Sequence, residues 1–373
     1  MGLFFSPFYI NRLCLPNRSV RSAVWEGLAD DQGRVTDRFV RMMATLARNR
    51  LGLIITGHAY VDPQGQAGPW QLGADRDDLV GGLQRMTDAV HGQGGRICLQ
   101  MAHAGGHAAT RITGRSALGP SSFEGRSGGK CRTMSEDDIY AVQQAMGAAA
   151  GRARKAGFDA VQVHAAHGYL LSQFLSPVTN RRRDRYGGSL ENRARMLCET
   201  LQVVRAAVGS DFPVLVKMNS EDFVPSGFQR VDLPEAAALV SEAGADAIEL
   251  SGGTVTNPQE THCARKVRPG CPEEEVYYRQ AARDLKASIS LPLILVGGIR
   301  SYDVAESLLA SESADLIAFG RPLIAEPKLI ARWHDGRRKT SACLSCNRCY
   351  VPLQAGQGLS CVMAAARHQR KPR

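Results

Sequence analysis

Short apolar, β-branched runs alternate with amphipathic stretches along almost the whole chain. The runs NRSVRSAV (17–24), LGLIITG (51–57), GRICLQM (95–101), DAVQVHA (159–165), PVLVKMN (213–219), DAIELSG (246–252), PLILVGG (292–298) and DLIAFGR (315–321) predict eight strands. Most are near-continuously apolar rather than strictly alternating, as expected for parallel strands covered on both faces. Between them, DDLVGGLQRMTDAVHGQG, EDDIYAVQQAMGAAAGRARKAG, ENRARMLCETLQVVRAAVG and SYDVAESLLASESA carry helical periodicity. Thr36, Ser135, Ser189 and Ser301 stand as helix N-caps, and several helices end at glycine. Eight βα units in one series predict a single (β/α)8 TIM barrel over residues 1–335, a fold of typically about 250 residues before insertions. A doubly wound sheet is the alternative, but it rarely needs eight consecutive units of one kind. The surplus length falls in two loops, 102–135 and 253–272, and in a C-terminal extension over 336–373, expected to pack on the barrel.

Hydrophobic residues make up 44% of the 373, ample for a soluble core. No apolar run approaches the roughly 18 residues of a membrane span. The opening MGLFFSPFYINRL has neither a basic leader nor a small-residue cleavage site, so a cytoplasmic location is expected. A net charge of +10 raises nucleic acid as a partner. Much of the surplus, however, sits in TNRRRDRYGGSLENRAR and RHQRKPR, without aromatic interleaving or a nucleic-acid motif. A phosphorylated ligand or an acidic redox partner accounts for it as easily, and no nucleic acid is expected.

In such a barrel the chemistry belongs at the C-terminal strand ends, and there the sequence is rich. Gln100 and His103 follow the third strand; His164, His167 and Tyr169 close the fourth. Lys217 interrupts the apolar fifth, Gly297 and Gly298 end the seventh, and Gly320 and Arg321 the eighth. Taken singly, a Gln or His after a strand is a loop hydrogen-bonder, paired glycines are a turn, and a strand Lys snorkels to solvent. Together on one rim they mean more. Bare glycine amides beside an Arg after strands seven and eight form a phosphate site. A buried Lys217 needs a negative partner, which the N1/C2 edge of a reduced flavin supplies. Gln100 both donates and accepts, as the uracil-like edge of a flavin requires.

The ten cysteines are unevenly spread. Cys343, Cys346 and Cys349 are two residues apart, and Cys361 follows after eleven more. Three close thiolates and a more distant fourth suit a cubane iron–sulfur cluster. Zinc held by four cysteines is the competing reading, although zinc ribbons favour two separated pairs.

The segments LPNRSVRSA, QMAHAGG, HAAHGYLLSQFLSPVTNRRRDRYGGSLENR, VKMN, VGG and FGRP, in this order, resemble the Old Yellow Enzyme family of FMN-dependent ene-reductases, over residues 3–335. The resemblance implies that Gln100 and Lys217 contact the FMN ring, over the backbone of Ala23, Val24 and Gly57. It implies that Gly298, Gly320 and Arg321 hold the phosphate, and Trp25 and Gly253 complete the cofactor-binding set. His164 and His167 then grip a ligand oxygen, and Tyr169 donates the proton. Trp25 stands where relatives often carry Cys or Thr, and Gly106 replaces an Arg; His58 reads as structural filler. The cysteine run resembles the [4Fe–4S] ligand set of the 2,4-dienoyl-CoA reductase and trimethylamine dehydrogenase branch. The implied activity is C=C reduction of an α,β-unsaturated carbonyl or enoate. Electrons come from NAD(P)H or from a separate ferredoxin or flavoprotein through the cluster. The alternatives are an amine dehydrogenase or demethylase passing electrons outward and an electron-transfer subunit with a vestigial pocket. The sequence leaves the substrate, nicotinamide preference and homo-oligomerisation open.

Overall fold

The computed structural model describes residues 2–364 except 267, 269, 270, 272 and 273. Eight parallel strands form its centre: β1 (Ser19–Arg21), β2 (Leu53–Ile55), β3 (Ile97–Ala102), β4 (Ala160–Ala165), β5 (Val214–Asn219), β6 (Ala247–Ser251), β7 (Leu293–Leu295) and β8 (Leu316–Phe319). Each pairs with the next in chain order, and Ala318 of β8 lies beside Val20 of β1, so the sheet closes on itself. This is the (β/α)8 barrel expected from the sequence, and each strand falls inside its predicted run except β3, which extends one residue further to Ala102.

The outer layer is helical: α1 (Asp37–Arg48), α2 (Val80–His91), α3 (Glu136–Lys155), α4 (Leu190–Val208), α5 (Leu233–Glu242), α6 (Arg279–Lys286), α7 (Tyr302–Ala310) and α8 (Leu329–His334). Capping explains three of their starts. Thr36 accepts from the Phe39 amide, Ser189 from Asn192, and Ser135 forms a reciprocal box with Asp138. Ser301 departs from expectation: its hydroxyl donates to Glu275 Oε1 instead of capping α7.

Because successive strand residues face opposite ways, one set packs outward on the helices and the other fills the barrel. The lower interior is apolar: Val20, Leu53, Ile55, Cys98, Leu215, Ala247, Ile294 and Leu316. An antiparallel hairpin, Phe8–Ile10 with Leu13–Leu15, plugs that end by adding Ile10, Leu13 and Leu15. The opposite end is polar, and the 102–135 loop folds over it. C-terminal to α8, the chain returns to the same end: Ser341 N–H donates to Arg300 O, and Leu359 N–H to Glu26 O. Among the described residues no helix is long and apolar enough to cross a membrane.

Candidate active site

The same two-residue period that fills the lower barrel with aliphatics puts Gln100, Gln162, Lys217 and Glu249 on its inner face. Gln100 Nε2 donates to Gln162 Oε1 at 2.7 Å, and Gln162 Nε2 to Glu249 Oε2 at 2.8 Å. Lys217 Nζ donates to Glu249 Oε1 and to Ser22 Oγ, both at 2.8 Å. Lys217 and Glu249 are almost wholly buried, so each requires the other: removing one partner of such a pair costs about 3–5 kcal/mol. The negative partner anticipated for Lys217 was a flavin; the protein itself provides one in Glu249. An ammonium has three donors, and with two committed the third is available to the cavity that Lys217 lines.

One level higher stand His164, Asn219 and Ser251. At the end of β4, His167 (φ 63) and Gly168 (φ 79) both take left-handed backbone conformations and reverse the chain. Asn219 Oδ1 accepts the His167 amide at 3.1 Å, which supports a conformation costly to a non-glycine residue. A Cβ on Gly168 would also press to 3.2 Å from Thr254. The turn aims His167 Nε2 at Ser251 Oγ, 2.7 Å away, and delivers Tyr169 edge-on to His164, with ring centroids 5.2 Å apart. His164 and His167 rings also meet at 5.2 Å. Buried His164 Nδ1 has no hydrogen-bond partner, an orphan that a ligand would satisfy.

Burial holds both histidines well below the ordinary imidazole range, reinforced for each by nearby His58 and Lys217. They are therefore neutral N–H donors at pH 7. Burial pushes the Tyr169 phenol up to about 12, keeping its proton on.

These residues line one cavity of about 530 Å³, a size suited to a cofactor. Its wall brings together Gln100, His164, His167, Tyr169, Lys217, Ala23, Val24, Trp25, Gly298, Gly320 and Arg321. Gly57 and Gly253 are not part of that wall. The Gly57 amide donates to Glu26 Oε1 at 2.8 Å, and Gly253 (φ 73) backs onto Thr261 O. Gly298 (φ 77) presents bare backbone where a Cβ would strike the Tyr277 ring. Arg321 reaches Asn347 Oδ1 at 2.7 Å, Ser345 O at 3.2 Å and Tyr277 Oη at 3.0 Å. It thus stands between the cavity and the C-terminal segment.

His58, read from sequence as filler, lines the cavity, 5.4 Å from the Tyr169 ring and 6.4 Å from that of His164. Gln71 Oε1 accepts the Ala67 amide at 2.7 Å, so its Nε2 donates to His58 Nδ1 at 2.7 Å. Neutral His58 therefore carries its proton on Nε2. Sequence reasoning also passes over Glu249, although a lone carboxylate inside DAIELSG is a signal. Nothing in the linear pattern couples Gln71 to His58.

Cys343, Cys346, Cys349 and Cys361 surround a second, smaller cavity, with Arg321 and Asn347 belonging to both walls. None of the four is in a disulfide. Among the described residues no group of three His, Cys, Asp or Glu side chains is placed to hold a single metal ion.

Burial of neutral histidines also makes stability depend on pH. His58, His103 and His107 all fall from 6.5 to about 4, chiefly by burial. Between these values the unfolded chain binds more protons than the folded one, so stability is full above about pH 6.5 and declines as pH falls toward 4. The slope reaches about 1.4 kcal/mol per pH unit for each such residue. Melting midpoints measured from pH 8 to 4.5 should drop below pH 6.5, and His103→Asn should flatten the decline. A midpoint unchanged from pH 7 to 5 would contradict this.

Comparison with known proteins agrees with this architecture. Residues 3–340 match the NADH:flavin oxidoreductase / NADH oxidase family. A metal reductase of Desulforamulus reducens is 34% identical over 369 residues, covering 98% of this chain and 54% of the relative. A 4,4'-dithiodibutanoate disulfide reductase of Rhodococcus erythropolis is 32% identical, covering 94% of this chain and 93% of the relative. The solved complex of 2-naphthoyl-CoA reductase with 2-naphthoyl-CoA superposes with a TM-score of 0.88 at 27% identity, over 96% of this chain and 56% of that one. The chain thus spans about half the length of the metal reductase and of the naphthoyl-CoA reductase. With its eight-stranded barrel and rim cavity, the chain belongs to the NADH:flavin oxidoreductase / NADH oxidase family.

Proposed function

We propose that the chain is an FMN-dependent ene-reductase acting on the C=C bond of an α,β-unsaturated carbonyl or enoate. The observation that carries this reading is the convergence of His164, His167 and Tyr169 on one cavity, with His164 Nδ1 lacking any protein partner. The cavity fits the cofactor: Lys217 has a spare donor, Gln100 faces in, and the bare backbone of Gly298 and Gly320 adjoins Arg321. FMN bound there supplies a hydride at N5. The protein's part is to place and polarise the acceptor. His164 and His167 donate to its oxygen without charge, drawing electron density from the double bond. Tyr169 holds its proton at Oη and gives it to the α carbon.

The four C-terminal cysteines fit a [4Fe–4S] cluster, because thiols arranged around a void suit a polynuclear centre better than thiols converging on one point. Arg321 and Asn347 line both cavities, so a cluster held by these cysteines would adjoin a flavin bound in the larger one. NAD(P)H or a separate electron-transfer protein, a ferredoxin or flavoprotein, then supplies the electrons.

The test is direct. Denaturation should release FMN, not FAD, and purified protein should oxidise NADPH or NADH in the presence of an enone under anaerobic conditions. Release of FAD would refute the cofactor assignment. Flavin reduction by amines, with no unsaturated compound re-oxidising it, would instead establish an amine dehydrogenase.

A further inference from the structure

Four cations line the large cavity: Arg126, Lys217, Arg300 and Arg321. Among the described residues no carboxylate lines it, so the site is built for negative charge. Three of the four are committed within the protein. Lys217 pairs with Glu249. Arg321 is held by Asn347, Ser345 and Tyr277. Arg300 lies 3.7 Å from Glu275 Oε1 and donates to Cys343 O and Arg268 O. The Arg126 guanidinium has no hydrogen bond or ion pair among the described residues; only its backbone is engaged, the amide donating to His107 Nδ1 at 3.3 Å.

The segment carrying Arg126 is anchored. Gly125 N–H donates to Gly129 O at 3.1 Å, and Ser127 Oγ to Ala108 O at 2.8 Å. Its charge reaches two other cavity residues, lowering the proton affinity of both His262 and Tyr169. His262 has a fixed tautomer. Ala264 N–H donates to its Nδ1 at 3.0 Å, so the neutral ring carries its proton on Nε2, where the backbone of Val255 is the acceptor that a ligand oxygen would replace.

We propose that Arg126 and His262 form a carboxylate-binding subsite, so that the substrate bears an acid group apart from the oxygen held by His164 and His167. This rests on the ene-reductase reading and narrows its substrate to an unsaturated acid. A guanidinium and an imidazole N–H together match the two oxygens of a carboxylate. Tyr169 neighbours both the subsite and the histidine pair, so a ligand held at its two ends presents its double bond beneath the phenol.

The test compares 4-oxopent-2-enoate with its methyl ester, two ligands with the same enone and different charge. Binding is titrated on the oxidised holoenzyme through the flavin absorbance, without turnover. Wild type should bind the acid more tightly than the ester. In Arg126→Gln the preference for acid over ester should fall about tenfold, the scale of one charge-assisted hydrogen bond to a partly solvated cation. Arg126→Lys should keep part of the preference, and His262→Leu should lose a smaller share. An unchanged acid-to-ester ratio in Arg126→Gln, or no preference in wild type, would overturn the subsite. Selective binding of the acid with no C=C reduction would leave the subsite standing and defeat the ene-reductase reading. Reduction of the ester without any preference for the acid would do the reverse.

Discussion

Replacing Tyr169 by phenylalanine should slow re-oxidation of the flavin by an enone or enoate about 10²–10⁴-fold, the range typical of a lost general acid. Reduction by NAD(P)H should stay near normal, because that half-reaction draws no proton from Tyr169. The geometry makes the substitution clean. The ring meets His164 and His58 edge-on at 5.2 and 5.4 Å, contacts that phenylalanine preserves, so the fold should survive. Its phenol, pushed up to about 12 by burial, is protonated across the working pH range. The rate difference should therefore persist from pH 6 to 9 rather than vanish at one end. His164→Ala should behave differently, weakening ligand binding as well, since it removes a donor to the acceptor oxygen. Rapid mixing of the two half-reactions reads both effects. Equal re-oxidation rates in Tyr169→Phe and wild type would remove Tyr169 from the proton-donor role.

Iron and acid-labile sulfide should each approach about four per chain, as four thiolate ligands to a cubane imply, and Cys346→Ala should lose most of both. The broad visible shoulder of the cluster should bleach with them. The flavin should remain, since Cys346 lines only the smaller cavity, whereas Arg321 lines both. Weakening should be local, in the segment packed through Cys349, Leu353 and Leu359 against Val24 and Trp25. One equivalent of zinc without sulfide would replace the cluster by a structural metal site.

The barrel was legible because strands buried on both faces must be apolar, and eight such runs alternating with helical stretches leave few other folds. The rim residues were legible because polar side chains interrupt those runs, as Lys217 does in PVLVKMN. What was not legible depends on partners distant in sequence. Glu249 acquires meaning only beside Lys217 on the neighbouring strand and Gln162 one strand further on. His58 becomes a donor only once Gln71 occupies its Nδ1. Arg126 sits in a Gly- and Ser-rich stretch that reads as plain loop, and the loop's fold back over the cavity is what gives it a role. Gly57 and Gly253 also follow strands, but neither lines the cavity, and Glu26 and Thr261 occupy the space next to them.

The pairing of Val20 with Ala318 joins the first strand of the barrel to the last. Contacts between such distant segments carry the largest loop-closure entropy and form late. Until β8 has emerged from the ribosome, β1 and the most recently made strand both present unpaired edges, a hazard for association with other chains. The hairpin that plugs the lower barrel has no complete floor to cover before then, because Leu316 and Ala318 belong to that floor. Nascent chains ending before Phe319 should be protease-sensitive and chaperone-bound, and resistance should appear abruptly once that strand is synthesised rather than grow unit by unit.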